Sequence, residues 1–138
     1  MELHLHLVFN GDCEKAFSVY KQIFNGEIVF LFRKGEDKTL SVDEEEKNKI
    51  SHIVLNTEHF SIQGEDADKG VPVTTGSNKL VLAFEDRAKL QSVFTVLSEG
   101  GTIVSPLEKT FFSETIGEVI DRFGVRWLLM MTDKDYEG

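Results

Sequence analysis

Residues 9–29, FNGDCEKAFSVYKQIFNGEIV, are followed 74 positions later by a weaker copy of themselves. At that offset Asp12 pairs with Asp86, Ala16 with Leu90, Val19 with Val93, Tyr20 with Phe94, Ile23 with Leu97 and Gly26 with Gly100. Each pair suits one structural role. An aspartate ahead of a helix offers its carboxylate to the unpaired N–H groups of the first turn. Positions 16, 19, 20 and 23, like 90, 93, 94 and 97, form one apolar stripe at helical spacing. Gly26 and Gly100 are free to take the left-handed conformation that ends a helix. A chain duplicated in this way is expected to fold as two modules of one plan about a pseudo-twofold axis, with a cavity between them.

The flanking segments extend each copy. Leu3, Leu5, Leu7 and Phe9 alternate with His4, His6 and Val8, giving a first strand with one apolar and one mixed face. A helix is expected over 13–24, then a strand over 27–33 (EIVFLFR) apolar enough to be covered on both faces. Residues 34–49, KGEDKTLSVDEEEKNK, read as a solvated acidic loop with a short strand near 39–42. ISHIVL and FSIQ form a hairpin across 56–59. The second module repeats the order with LVLAF, a helix over 87–98, a strand from 102, and a final pair over 116–120 and 125–131. VRWLLMM is apolar on both faces and belongs in the middle of its sheet. The expected fold is α+β, a single domain over 1–138. Module one spans about 1–66, a Gly/Pro/Ser-containing linker about 67–78, and module two about 79–133.

Composition narrows the functional classes. With 15 Lys+Arg against 24 Asp+Glu, the net charge of −9 repels phosphate backbones, so nucleic acid is not an expected partner. No apolar run reaches the ~20 residues that span a bilayer, and the alternating N-terminus lacks the basic start of a signal peptide. The single cysteine fits a reducing, cytoplasmic setting. Cys13 opens a helix, whose dipole would favour the thiolate, but it precedes the acidic Glu14 and has Arg87 as its counterpart. A structural role is the simpler reading. No Ser/His/Asp arrangement, phosphate loop or paired-carboxylate motif stands out.

FNGDCEKAFSVYKQIFNGE, then ISHIVL followed by FSIQGEDA, then PLEKTFFSETIGEVIDRFGVRWLLM, together resemble the PhnB-like proteins. These belong to the vicinal-oxygen-chelate superfamily of glyoxalases, bleomycin-resistance proteins and extradiol dioxygenases. The likeness spans nearly the whole chain outside the acidic loop. It implies two βαβββ modules whose sheets curl into a cup with the helices outside, and a homodimer. Metal-using members of the superfamily place His, Glu or Gln ligands on the first and last strand of each module. Here the first strand offers His4 or His6, although a gapless match puts Leu5 at the ligand position. Gln63 lies on the last strand of module one, while Lys79, Val81 and Ala83 on the first strand of module two are poor ligands. The last strand holds no carboxylate or imidazole. A divalent ion needs at least three converging donors, so no metal and no other cofactor is expected. Labels in this family that invoke a methyltransferase find no support in a glycine-rich loop after the first strand.

The candidate cup-lining residues are His4, His6, His52, Gln63, Phe112, Glu114 and Trp127. An imidazole can orient or move a proton near neutral pH, and aromatic faces supply buried area. All but Gln63 have a plainer reading: surface histidines for 4 and 6, a core histidine for 52, solvent-facing alternation for Glu114, and core packing for the aromatics. The expected function is a metal-free protein that binds a neutral or cationic, partly aromatic small molecule, with or without an unassigned reaction. Two alternatives remain: a metal-dependent lyase, isomerase or dioxygenase, and a dimeric interaction module whose cup is filled by side chains.

Overall fold

A computed structural model describes residues 1–108 and 115–132. The chain divides into two compact units, Met1–Val73 and Thr74–Gly138. The first unit contains β1 (His6–Phe9), α1 (Cys13–Ile23), β2 (Glu27–Arg33), β3 (Ile50–Asn56) and β4 (Ser61–Asp66). Its sheet runs β1-β4-β3-β2, with β1 parallel to β4 and the other neighbours antiparallel. The second contains β5 (Lys79–Phe84), α2 (Arg87–Ser98), β6 (Thr102–Glu108), β7 (Ile116–Ile120) and β8 (Arg126–Met131). Its order is β5-β8-β7-β6, with β5 parallel to β8. The chain is thus an α+β protein of two βαβββ modules, and β8 lies inside its sheet as its two apolar faces require. Among the described residues no helix is long and apolar enough to cross a membrane.

Each helix buries the stripe that its spacing announces. Cys13, Ala16, Phe17, Tyr20 and Ile23 of α1 are buried in the unit that also buries Phe9, Ile53, Leu55 and Ile62 of its strands. Phe17 meets Phe9 and Tyr20 edge-on, at ring-centroid distances of 6.1 and 5.9 Å. Leu90, Val93, Phe94 and Leu97 of α2 are buried in the unit that buries Val119, Trp127 and Leu129. Tyr20 and Phe94 therefore hold the equivalent places that the duplication assigns them.

The helix ends depart from the duplication. Asp86 caps α2, accepting from the Ala88 and Lys89 N–H groups at 2.9 and 3.4 Å. Asp12 makes no side-chain cap bond. Its place is taken by Asp66 at the end of β4, which is 2% exposed. Asp66 Oδ1 accepts from the Cys13 N–H at 3.0 Å and Oδ2 from the Ile50 N–H at 2.9 Å. At the other end Asn25, not Gly26, takes the left-handed conformation, with φ +51°. Gly26 is needed for space, because a Cβ there would lie 2.8 Å from the Asn56 carbonyl oxygen. In module two Gly100 is left-handed at φ +70°, and a Cβ on Gly101 would run into the Ile120 carbonyl. Since α2 has 12 residues and α1 has 11, the repeat slips by one across the helices. Asn25–Gly26 match Gly100–Gly101, and both small residues sit where the chain leaves the helix against a neighbouring strand.

Three expectations fail locally. The first strand begins at His6, leaving Leu3 and His4 outside it. The acidic loop contains no strand: it opens with a 3-10 turn at Lys34–Glu36 and folds on itself. The Lys34 and Gly35 N–H groups donate to the Lys49 and Lys47 carbonyls at 2.9 and 3.0 Å, and Glu46 within the acidic run is buried. Finally, β2 is not covered on both faces, since Val29 and Phe30 are half exposed. Its pairing with β3 shifts register between Ile28 and Phe30, a bulge that turns consecutive apolar residues outward.

Candidate functional site

Gly64 fixes which face of the first sheet is open. A Cβ there would meet the Phe17 ring of α1 at 2.7 Å, so Gly64 and its register partners Leu7 and Ile53 face the helix. Alternation sends their neighbours the other way. His6 and Val8 of β1, Gln63 and Glu65 of β4, and His52 and Val54 of β3 therefore share the face away from α1. Phe32 lies opposite His52 and Phe30 opposite Val54, which adds both phenylalanines to that face.

Side chains on this face form a row of rings. His6 and His52 stack at 5.5 Å between centroids with planes 24° apart. Phe30 meets His52 edge-on at 5.7 Å, and Phe32 lies 6.4 Å from Phe30. His6 Nε2 is 3.6 Å from Glu65 Oε1. Gln63 stands in register between His6 and Val54 on the same face. Near-parallel imidazoles do not aim their in-plane lone pairs at a common point. Accordingly, no group of three His, Cys, Asp or Glu among the described residues is placed to hold a metal ion.

The sequence candidates thus separate. His6, His52 and Gln63 come together. His4 lies outside the strand, exposed, with Nε2 3.0 Å from Glu2 Oε2. Phe112 and Glu114 lie outside the described residues. Trp127 is core: it is 1% exposed, its Nε1–H donates to Asp121 Oδ2 at 2.9 Å, and its strand neighbour Leu129 pairs with Gly117, which faces Phe94 of α2. Phe30, Phe32 and Glu65 were not foreseen. No alternation marked Phe30 and Phe32, because EIVFLFR is apolar at both parities. Cys13 is no nucleophile here, since burial, followed by the charge of Asp66, pushes its thiol far above the ordinary range.

The second sheet is open along β5 on the face away from α2, while Ile116 and Glu118 of β7 on that face are buried. Gly117 and Leu129 point to α2, so Glu118, Leu128, Met130 and Arg126 point away, as do Lys79, Val81 and Ala83, their register partners along β5. Glu118 is buried yet charged. Arg126 donates to its Oε2 through Nη2 at 2.6 Å and Nε at 3.0 Å, and Lys79 Nζ lies 2.6 Å from Oε1. Arg126 Nη1 also donates to the Gly76 carbonyl at 3.0 Å. Lys79 first and then Arg126 outweigh burial and hold the Glu118 carboxyl below its usual range. A carboxylate with a lowered folded-state pKa stabilises the fold above its unfolded pKa, and that contribution is lost as pH falls through the folded one. Glu118→Gln is therefore expected to cost roughly 1–3 kcal/mol at pH 7. The difference from the parent protein should shrink as pH drops below about 4. Urea unfolding of both proteins at several pH values checks this; a difference that stays constant into acid would exclude the ionic role.

Comparison with known proteins agrees with this architecture. A family model described as 3-demethylubiquinone-9 3-methyltransferase matches residues 1–130. Protein PA1353 from Pseudomonas aeruginosa is 30% identical, with 95% of this chain and 97% of that one covered and a TM-score of 0.86. A PhnB protein from Bacillus cereus superposes with a TM-score of 0.82 at 24% identity, over 96% of this chain and all of that one. The fosfomycin resistance protein FosX from Mesorhizobium loti shares the fold at a TM-score of 0.63 and 10% identity, over 98% of this chain and 94% of that one. The chain belongs to the family whose model is described as 3-demethylubiquinone-9 3-methyltransferase.

Proposed function

We propose that this protein binds a planar, neutral or cationic aromatic small molecule on the open face of its first module, without a metal. One observation carries the reading: the row His6–His52–Phe30, three rings 5.5 to 5.7 Å apart, ends in a half-exposed phenylalanine. Ring edges and faces held at these separations offer a further ring the same offset or edge-on geometry they already adopt with one another. The Gln63 amide and the imidazole nitrogens supply directional polar contacts that fix its orientation. Glu65 beside His6 favours a cationic or hydrogen-bond-donating ligand over an anion, as does the net charge of −9.

The metal-free part rests on donor chemistry. Val81, Ala83, Leu128 and Met130 occupy the open face of the second module, and stacked imidazoles dominate the first. Methyl transfer is no part of the reading, because two mixed four-stranded sheets are not the doubly wound parallel sheet with a glycine-rich turn that holds dinucleotide-like cofactors. Family resemblance supports a homodimer, and the single cysteine supports a cytoplasmic setting. Sedimentation equilibrium tests the dimer.

Calorimetric titration with quinoline and with its N-methyl cation tests the binding site. Saturable binding is expected, weakened about tenfold or more in Phe30→Ala and His52→Ala, the scale of one lost aromatic contact. Binding that both variants keep at full affinity would remove this face from the site. Stoichiometric Zn, Mn, Ni or Fe after purification without affinity-tag metals would overturn the metal-free assignment.

A further inference from the structure

The Lys79–Glu118–Arg126 cluster holds one charge more than a structural ion pair needs. Arg126 reaches only Oε2 of Glu118, in two hydrogen bonds, and is itself tied to Gly76. Lys79 adds a second cation at Oε1, so two positive groups share one carboxylate and the cluster keeps a net charge of +1. The three differ in access. The Glu118 side chain is 7% exposed and that of Arg126 27%, whereas that of Lys79 is 46% exposed. An ammonium has three donors, and Glu118 occupies one of them. Lys79 therefore presents two N–H groups and the uncompensated charge to the surface, while its partners lie below it and hold it in place.

What adjoins this cation is apolar. Following β5 and β8 along the same face, the next register pair is Val81 with Leu128, and the one after is Ala83 with Met130. Val81 is more than half exposed, Ala83 is exposed, and Leu128 and Met130 are partly exposed. Alternate residues on a strand are about 6.6 Å apart, so the apolar strip extends for roughly 13 Å from the cationic end. An exposed valine next to a fixed ammonium, continued by a partly exposed leucine and methionine, is an arrangement that the net charge of −9 works against.

We infer that the open face of the second module binds a small amphiphilic acid. Its carboxylate or similar oxyanion is taken by Lys79, and its unbranched or ring-bearing apolar body lies along Val81, Leu128 and Met130. The inference concerns this module alone and is independent of the aromatic site proposed on the first. Glu118 acts here as a positioning residue that fixes the direction of the lysine and offsets part of its charge, and Arg126 holds Glu118 in turn. The global field repels anions, so the site selects acids with enough apolar surface to offset the repulsion, and small hydrophilic anions bind weakly.

Three probes with one tail separate the contributions: octanoate, octylammonium and octanol, each titrated below its aggregation concentration. The readouts are calorimetry and the methyl resonance of Met130 in 13C-methyl-labelled protein. Octanoate is expected to saturate the Met130 shift and to bind at least about tenfold more tightly than either other probe, the scale of one charge-assisted contact. Acetate should produce no shift, because it lacks the tail. Lys79→Met should lose that preference while leaving the amide spectrum of a folded protein, and Lys79→Arg should retain it. Val81→Asn should weaken octanoate with the charge untouched. Equal binding of octanol or octylammonium, octanoate affinity unchanged in Lys79→Met, or an octanoate complex that leaves Met130 unshifted would each overturn the inference.

Discussion

Asp66→Ala is expected to destabilise the protein by about 3–5 kcal/mol, because it orphans two buried N–H donors at roughly 1–3 kcal/mol each. The carboxylate receives Cys13 N–H at the start of α1 and Ile50 N–H at the start of β3, and it is 2% exposed. Asp66→Asn keeps the shape and one carbonyl acceptor, but turns an NH2 group toward a backbone N–H, so about half the loss is expected. Asp12→Ala provides the contrast. Asp12 makes no side-chain cap bond, and its removal should cost within about 0.5 kcal/mol, as at an ordinary surface position. Urea unfolding of the three variants measures the ordering. A loss in Asp66→Ala no larger than that of Asp12→Ala would show that the observed bonds do not hold the helix start.

This pair shows where local sequence rules stop. An aspartate just before an apolar helical stripe is the ordinary signature of a cap, and it identifies Asp86 correctly. In the first module the same signature points to Asp12, while the group that does the capping is 53 residues away at the end of β4. Only the parallel pairing of β1 with β4 brings the two together. The helix exits teach the same lesson. The glycines at 26 and 100 were legible as stops, but their physical reasons differ. Gly100 is left-handed, whereas Gly26 must lack a side chain because the Asn56 carbonyl lies against it. Order and type of elements were legible apart from the strand expected near 39–42, because each helix carries one stripe and most strands their alternation. The extra residue in α2 was not, since nothing in a gapless offset reveals it.

The open faces were legible in part. His6, His52 and Gln63 fall on one face once their strands pair, since alternation within HLVF, ISHIVL and FSIQ already separates them from the buried Leu55 and Ile62. Phe30 and Phe32 escaped because EIVFLFR is apolar at both parities, and a bulge decides which residues turn outward. The surplus cation on the second module depends on register across three strands. Lys79, Glu118 and Arg126 are unremarkable as isolated charges in the sequence and become a unit only when β5, β8 and β7 lie side by side.

Trp127→Ala is expected to cost about 3–5 kcal/mol, through lost burial and the cavity left behind. VRWLLMM has no polar parity to say which side of β8 faces the helix, and tryptophan is as suited to a binding face as to a core. Neighbouring register settles it. Gly117 abuts Phe94 of α2 and pairs with Leu129, so Trp127, two residues back, lies on the same face. The indole N–H reaches Asp121 Oδ2, while Asp121 Oδ1 accepts from the Phe123 and Val125 N–H groups in the β7–β8 turn. Truncation therefore removes core volume and one of the contacts that steady this turn. Trp127→Phe keeps most of the volume and loses the hydrogen bond, for which about 1–2 kcal/mol is expected. The chain has one tryptophan, so the native protein itself supplies a second measurement. Its emission should be blue-shifted and resist acrylamide quenching until the protein unfolds. Ready quenching in the native state, together with a stability loss below about 1 kcal/mol in Trp127→Ala, would return the indole to an exposed surface. It would also reverse the facing of β8, and with it the placement of Leu128, Met130 and Arg126 on which the acid-binding inference stands.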